Sequence, residues 1–170
     1  MGFFDKLFGG KHDAAPKFAG EKMVVKAPID GTVIPLEQIP DETFATAILG
    51  PGCGIEPTGD TVYAPFDGTI TQVASTLHAV GLTSEDGIEI LIHVGMDTVE
   101  MQGKGFKALV KVGDKVKAGT PLLKVDLDAI RAAGHPTATA IIVTNADDLP
   151  KLHITAGGIV STGTPLFKFE

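Results

Sequence analysis

Two phrases in this chain are each written twice. Val25-Lys-Ala-Pro28-Ile-Asp30-Gly31-Thr-Val-Ile returns 37 positions later as Val62-Tyr-Ala-Pro65-Phe-Asp67-Gly68-Thr-Ile-Thr. Val112-Gly113-Asp-Lys-Val-Lys-Ala-Gly119-Thr120-Pro121 is echoed 44 positions later by Ala156-Gly157-Gly-Ile-Val-Ser-Thr-Gly163-Thr164-Pro165. Each Pro-x-Asp-Gly-Thr is a turn feeding a strand, because proline presets φ and glycine permits φ > 0. Two copies at unequal spacing do not make a solenoid. The 21 glycines and 11 prolines recur between short β-branched runs, the pattern of many short strands joined by turns. The expected fold is all-β: an antiparallel β-sandwich or flattened barrel with pseudo-duplicated, hybrid motifs and only short helical turns.

At 170 residues one domain is expected, over residues 22–170, preceded by a flexible tail over 1–21. Phe3, Phe4, Leu7 and Phe8 share one face of a short helical pattern, with Asp5 and Lys6 on the other and Gly9-Gly10 ending it. So short a helix is marginal in water. It would form where that face meets an anionic membrane surface. The segment is too short for a secretory signal, and no run approaches the roughly 18 apolar residues of a spanning helix. A cytoplasmic protein, in part peripherally membrane-associated, is the expectation. The single Cys53 excludes an intrachain disulfide and reads as a buried small hydrophobe. A net charge of -7 argues against nucleic acid as a partner and suits basic protein partners.

Local signals place the remaining elements. Asp126 is an N-cap and Gly134 a stop for a short helix from Leu127. Residues 138–144 read as a core strand. Gly95 to Glu100 reads as a tight turn or one-turn helix. The stretch Gly50-Pro51-Gly52-Cys53-Gly54 lacks the Lys-Ser/Thr of a phosphate-cradling loop and is read as turn chemistry.

The chemistry gathers between residues 76 and 99. His93 ends the apolar run Ile88-Glu89-Ile90-Leu91-Ile92, a buried strand. His78 lies in or beside the preceding strand, and Ser84-Glu85-Asp86-Gly87 is a hairpin turn between them. Gly81 marks a bulge or a close backbone approach. Adjacent antiparallel strands bring both imidazoles to one end of a sheet. Such a pair suits phosphoryl transfer on a ring nitrogen, metal binding or general acid–base work; two satisfied structural histidines are the plain alternative. His12, His135 and His153 carry no motif.

Ile-Glu-Ile-Leu-Ile-His93-Val-Gly-Met-Asp97-Thr-Val-Glu100 resembles the phosphorylation motif of the glucose-type IIA component of the bacterial phosphoenolpyruvate-dependent sugar phosphotransferase system. Thr76-Leu-His78-Ala resembles that family's second histidine motif, at matching spacing. The resemblance covers nearly the whole chain from Met1. It implies that His93 is the phosphohistidine nucleophile, that His78 stabilises the phosphoryl group and that Thr76 orients His78. It implies a donor, phospho-HPr, and an acceptor, the cysteine-bearing IIB domain of a sugar permease. It places Asp41, Phe44, Ile48, Leu49, Asp97 and Val99 on an exposed partner-binding rim. In some bacteria such proteins also regulate glycerol kinase, adenylate cyclase and non-phosphotransferase permeases. No cofactor is required and no intrinsic metal site is expected, although His78 and His93 are possible zinc ligands shared with a partner. Ala74 and Leu91 stand where the family carries phenylalanines, which implies a flatter, less apolar patch.

Two competitors are weaker on the residues. A zinc hydrolase needs a third ligand and usually a His-x-His pair, whereas Leu91 and Gly95 flank His93 at those positions. A biotin- or lipoate-carrying domain needs a lysine at a hairpin tip, and Glu21-Lys22-Met23 is a poor match.

Overall fold

A computed structural model describes residues 16–170. Phe3, Phe4, Leu7, Phe8 and His12 lie outside the described residues. Eight strands form one antiparallel sheet. From edge to edge they are β13 (Gly158–Val160), β2 (Gly31–Pro35), β3 (Gly52–Pro57), β11 (Thr139–Val143), β7 (Glu89–Val94), β6 (Ala79–Ser84), β5 (Gly68–Val73) and β9 (Lys115–Val116). Two three-stranded antiparallel sheets pack on its inner face. One is β1 (Val24–Lys26), β14 (Pro165–Phe169) and β12 (Leu152–Ile154); the other is β4 (Thr61–Tyr63), β10 (Pro121–Val125) and β8 (Phe106–Ala108). The expected antiparallel sandwich is what forms.

The repeated phrases become a pseudo-two-fold. The large sheet reads equivalently from both edges, with the axis between β11 and β7, and each small sheet is the counterpart of the other. Hydrogen bonds repeat accordingly. The N–H groups of Ala27 and Ala64 donate to the carbonyls of Thr164 and Thr120; those of Gly163 and Gly119 donate back to Ala27 and Ala64. Asp30 accepts from the Thr162 N–H, and Asp67 from the Ala118 N–H. The halves are interlaced, since Lys26 N–H donates to the Pro65 carbonyl and Tyr63 N–H to that of Pro28.

The main core lies between the layers, with Ile29, Ile55, Ile70, Leu82, Ile92, Leu122, Ile141 and Phe167 essentially inaccessible. A smaller core lies on the other face of the large sheet. Ala140 and Ile142 of β11 meet Ile39, Phe44 and Met96 there, so β11 is buried on both faces. The cover is the β2–β3 connection, which holds a 3-10 turn (Leu36–Gln38) and the four-residue helix Glu42–Ala45 capped by the Asp41 carboxylate on Thr43 N–H.

Three local readings need comment. Gly52-Cys53-Gly54 is not turn chemistry: it opens β3, beside β11. A Cβ at Gly52 would stand 2.0 Å from the Ile141 carbonyl oxygen, and one at Gly54 would stand 2.8 Å from the Ile34 side chain. The glycines are there for close approach of backbones, not for bending. Gly52→Ala is therefore expected to lower unfolding free energy by about 3 kcal/mol or more, the upper range for overpacking; urea denaturation measures it, and a loss under about 1 kcal/mol would contradict it. Gly81 lies opposite the register shift in β5, and a Cβ there would meet Gln72 Cβ at 3.2 Å. Lastly, the described part of the expected tail lies against the body: the Phe18 ring covers Gly163, 2.8 Å from where a Cβ would stand, and reaches Gly119. The helix Leu127–Ala132 has its cap at Asp126, with Gly134 at φ +86° beyond it.

Candidate functional site

β6 and β7 pair so that His93 lies opposite Ala79, and His93 faces Ala140 of β11 on its other side. Alternation along β7 sends Ile90, Ile92 and Val94 into the main core and leaves Leu91 and His93 on the outer face. His78 precedes β6 in a loop closed by the Ala74 N–H on the Ala79 carbonyl, with Leu77 at φ +65°. The His78 carbonyl takes the Val94 N–H at 2.8 Å, which ties the two histidine-bearing segments together.

The rings meet edge to face, with centroids 4.7 Å apart and an interplanar angle of 83°. Phe44 packs on the other side of His93 at 4.8 Å. His93 Nδ1 lies 2.9 Å from the Gly95 carbonyl oxygen. A carbonyl only accepts, so Nδ1 carries the proton and Nε2 keeps its lone pair. Thr76 Oγ1 lies 2.8 Å from His78 Nδ1, leaving His78 Nε2 to address whatever sits between the rings.

Burial, then the neighbouring His78, push the His93 pKa down to about 4; the Gly95 carbonyl and the Asp41 carboxylate only partly offset this. Burial also lowers that of His78. Both imidazoles are thus neutral, and nucleophilic, near pH 7. The stability consequence has a definite sign. Below the unfolded value near 6.5 the unfolded chain binds a proton that folded His93 refuses, so stability is lost as pH falls from 6.5 toward 4. The loss tends to roughly 3 kcal/mol at most. Urea midpoints from pH 7.5 down to 4.5 should fall less for His93→Gln than for the parent chain; equal slopes would contradict the assignment.

The remaining expected rim residues divide. Asp41 and Phe44 come to His93, but Phe44 is only 5% exposed. This corrects the expectation of an exposed contact: Phe44 is spent on the small core and on the ring of His93. Asp97, in left-handed conformation at φ +60°, caps the 3-10 turn Thr98–Met101 that follows β7, and Val99, 53% exposed, lies within it. Ile48 and Leu49 are exposed but lie at the far end of the helix. There Leu49 lines a hollow with Glu89, Thr144 and Asn145, at the opposite end of β7 from His93, roughly 13 Å away at strand rise. Leu91 is half-buried against the small core. His135 stands 3.9 Å from the Glu100 carboxylate, next to the rim. Cys53 is buried and its thiol pKa is pushed up to about 12, which makes it inert. Among the described residues, no group of three or more His, Cys, Asp or Glu side chains is placed to hold a metal ion, and no helix is long and apolar enough to cross a membrane.

The pseudo-two-fold does not extend to the site. Ile142 lies opposite Gly52, the first residue of β3, as His93 lies opposite Ala79, the first of β6. Pro51 precedes β3 as His78 precedes β6. One half of a duplicated sandwich has the imidazole pair, and the other has proline and isoleucine. Sequence reasoning passed over Thr98, wholly buried in the turn after His93. Its one signal was a β-branched hydroxyl residue just after the glycine of the turn Gly95-Met-Asp-Thr98.

Fold and site together define a β-sandwich protein that presents one neutral, oriented histidine on an open face. The comparisons give this class its family. Residues 23–149 match the family model for the phosphoenolpyruvate-dependent sugar phosphotransferase system, EIIA 1, and the chain belongs to that family. It is 41% identical over 151 residues to a glucose-specific EIIA component of Staphylococcus epidermidis, covering 89% of this chain and 88% of the relative. It is 43% identical over 145 residues to the N-acetylglucosamine-specific EIICBA component of Klebsiella pneumoniae, where 85% of this chain spans only 22% of the relative. The solved glucose permease IIA from Mycoplasma capricolum superposes with a TM-score of 0.80 at 35% identity, over 89% of this chain and 98% of that one.

Proposed function

We propose that the protein is a phosphoryl carrier in which His93 Nε2 takes the phosphoryl group of phospho-HPr and gives it to the cysteine of an IIB domain. The observation that carries this reading is the Nδ1 contact with the Gly95 carbonyl, which leaves Nε2 as the free nucleophile beside a second imidazole. In acceptance the Nε2 lone pair forms the new P–N bond in line as the P–N bond to the donor histidine breaks. Donor imidazole nitrogen and acceptor nitrogen exchange roles, and no net proton is needed. His78, set by Thr76, donates its Nε2–H to the phosphoryl oxygens; positioning and charge stabilisation supply most of the catalysis in such transfers. Asp97 and the apolar Val99 meet the partner, the carboxylate suiting a partner arginine.

Relatives in which the matched segment is part of a longer EIICBA component support an IIB domain as the acceptor. Regulation of glycerol kinase, adenylate cyclase and non-phosphotransferase permeases belongs to the same reading, as do a cytoplasmic location and membrane contact through residues 1–10. His78 and His93 supply two of the ligands zinc would need, so a metal would be held only with a partner's carboxylate. The test is incubation with phosphoenolpyruvate, enzyme I and HPr, followed by intact mass. Gain of one acid-labile phosphoryl group supports the reading; no gain with competent HPr overturns it.

A further inference from the structure

The tautomer of His93 depends on one peptide unit, and that unit is gripped at both ends. The carbonyl of the Gly95–Met96 peptide faces His93 Nδ1 at 2.9 Å. Its N–H, on Met96, donates to the Pro136 carbonyl at 3.0 Å. Rotation of this peptide plane would exchange the two groups. An N–H would then face Nδ1, Nδ1 would have to accept, and the proton would move to Nε2. A glycine on one side of the peptide, here at φ +75°, offers little steric resistance to such rotation.

Thr98 packs around this glycine. Its side chain is wholly buried. Oγ1 donates to the Val94 carbonyl at 2.7 Å, closing the turn one residue before Gly95. Cγ2 occupies the space over Gly95, 2.5 Å from where a Cβ would stand. The Pro136 carbonyl, 3.1 Å from the same point, closes the other side.

We propose that Thr98 is a positioning residue: with the Pro136 carbonyl it holds the Gly95–Met96 peptide carbonyl-inward, and this reserves Nε2 of His93 as the reactive nitrogen. The proposal deepens the carrier reading, but the tautomer itself is observable with no phosphoryl donor present.

The experiment uses the full chain labelled with 15N-histidine at pH 7.5. The parent chain is expected to show His93 with Nδ1 protonated and Nε2 bare. Thr98→Val, which keeps the shape and loses the hydroxyl, is expected to move both ring nitrogens toward averaged shifts. It should also slow phosphoryl uptake about tenfold, the scale of one lost charge-free hydrogen bond acting on a reacting group. Thr98→Ser, which keeps the hydroxyl, is expected to restore both. Should Thr98→Val fail to fold, Thr98→Ala also lacks the hydroxyl and is read the same way. Parent-like ring shifts in whichever hydroxyl-free variant folds would overturn the proposal, as would a Thr98→Ser chain shifted as far as that variant. A parent chain with the expected tautomer but no phosphoryl uptake would refute the carrier reading and leave this one standing.

Discussion

His93→Gln is expected to take up no phosphoryl group, a loss of at least about 10^4 in rate against the parent chain, because on the proposed carrier reading the nucleophile itself is gone. Glutamine is uncharged and of similar size, and the turn after β7 keeps the Thr98 hydroxyl on the Val94 carbonyl and the Met96 N–H on that of Pro136, so the turn survives. The glutamine nitrogen lone pair is delocalised into the carbonyl and does not attack phosphorus. Among the described residues, no neighbour of the site can replace the imidazole. His78 is held by Thr76 at 2.8 Å and is itself buried, and the neighbours Phe44 and Leu91 are inert. Intact mass after incubation with the phosphoenolpyruvate cascade reads the result directly. Persistence of the acid-labile gain in His93→Gln would move the phosphorylation site elsewhere and end the assignment.

His78→Gln is expected to separate the two half-reactions. In acceptance the attacking and departing groups are both neutral imidazoles. A hydrogen-bond donor over the phosphoryl oxygens suffices, and the glutamine N–H supplies one; the rate should stay within about tenfold. In the proposed donation the attacking group is a cysteine thiolate. An anion then approaches a dianionic phosphoryl group, and only a side chain able to gain a proton can offset that charge. Glutamine cannot, so transfer to the IIB cysteine should fall about 10^3-fold, within the range of general-acid contributions. Rapid-quench measurement of both steps decides it. Equal losses in both directions would show that His78 acts through geometry alone, consistent with its edge-on contact with His93.

What the chain revealed in advance follows from how local each signal is. The doubled Pro-x-Asp-Gly-Thr phrases leave Asp30 and Asp67 in equivalent hydrogen bonds, but Gly31 and Gly68 do not take the positive φ expected of a turn: they open β2 and β5, where a Cβ would stand 2.2 Å from the carbonyl oxygens of Glu56 and Thr83. The paired strands around Ser84–Gly87 bring His78 and His93 together by register, which hairpin length determines. Gly52 and Gly54 misled because a glycine required by a neighbouring backbone reads the same as one required by a bend. The difference lies in Ile141, far along the chain. Phe44 misled for a related reason: its four-residue helix has no apolar periodicity of its own, and its burial is decided by Ile39, Met96 and Ile142. The grip of Thr98 on the turn is likewise a contact, not a pattern.

The two small sheets bear on how this domain can be joined to others. β1 and β14 are hydrogen-bonded neighbours, Val24 opposite Lys168, so the chain enters and leaves the sandwich side by side. Both strands belong to the layer on the inner face of the large sheet, across the core from His93. Polypeptide continuing from β14 would therefore start from the back of the domain. An extension there costs no strand pairing and leaves the imidazole face clear. The same sandwich can thus stand alone or be continued into a longer chain without redesign of its histidine face.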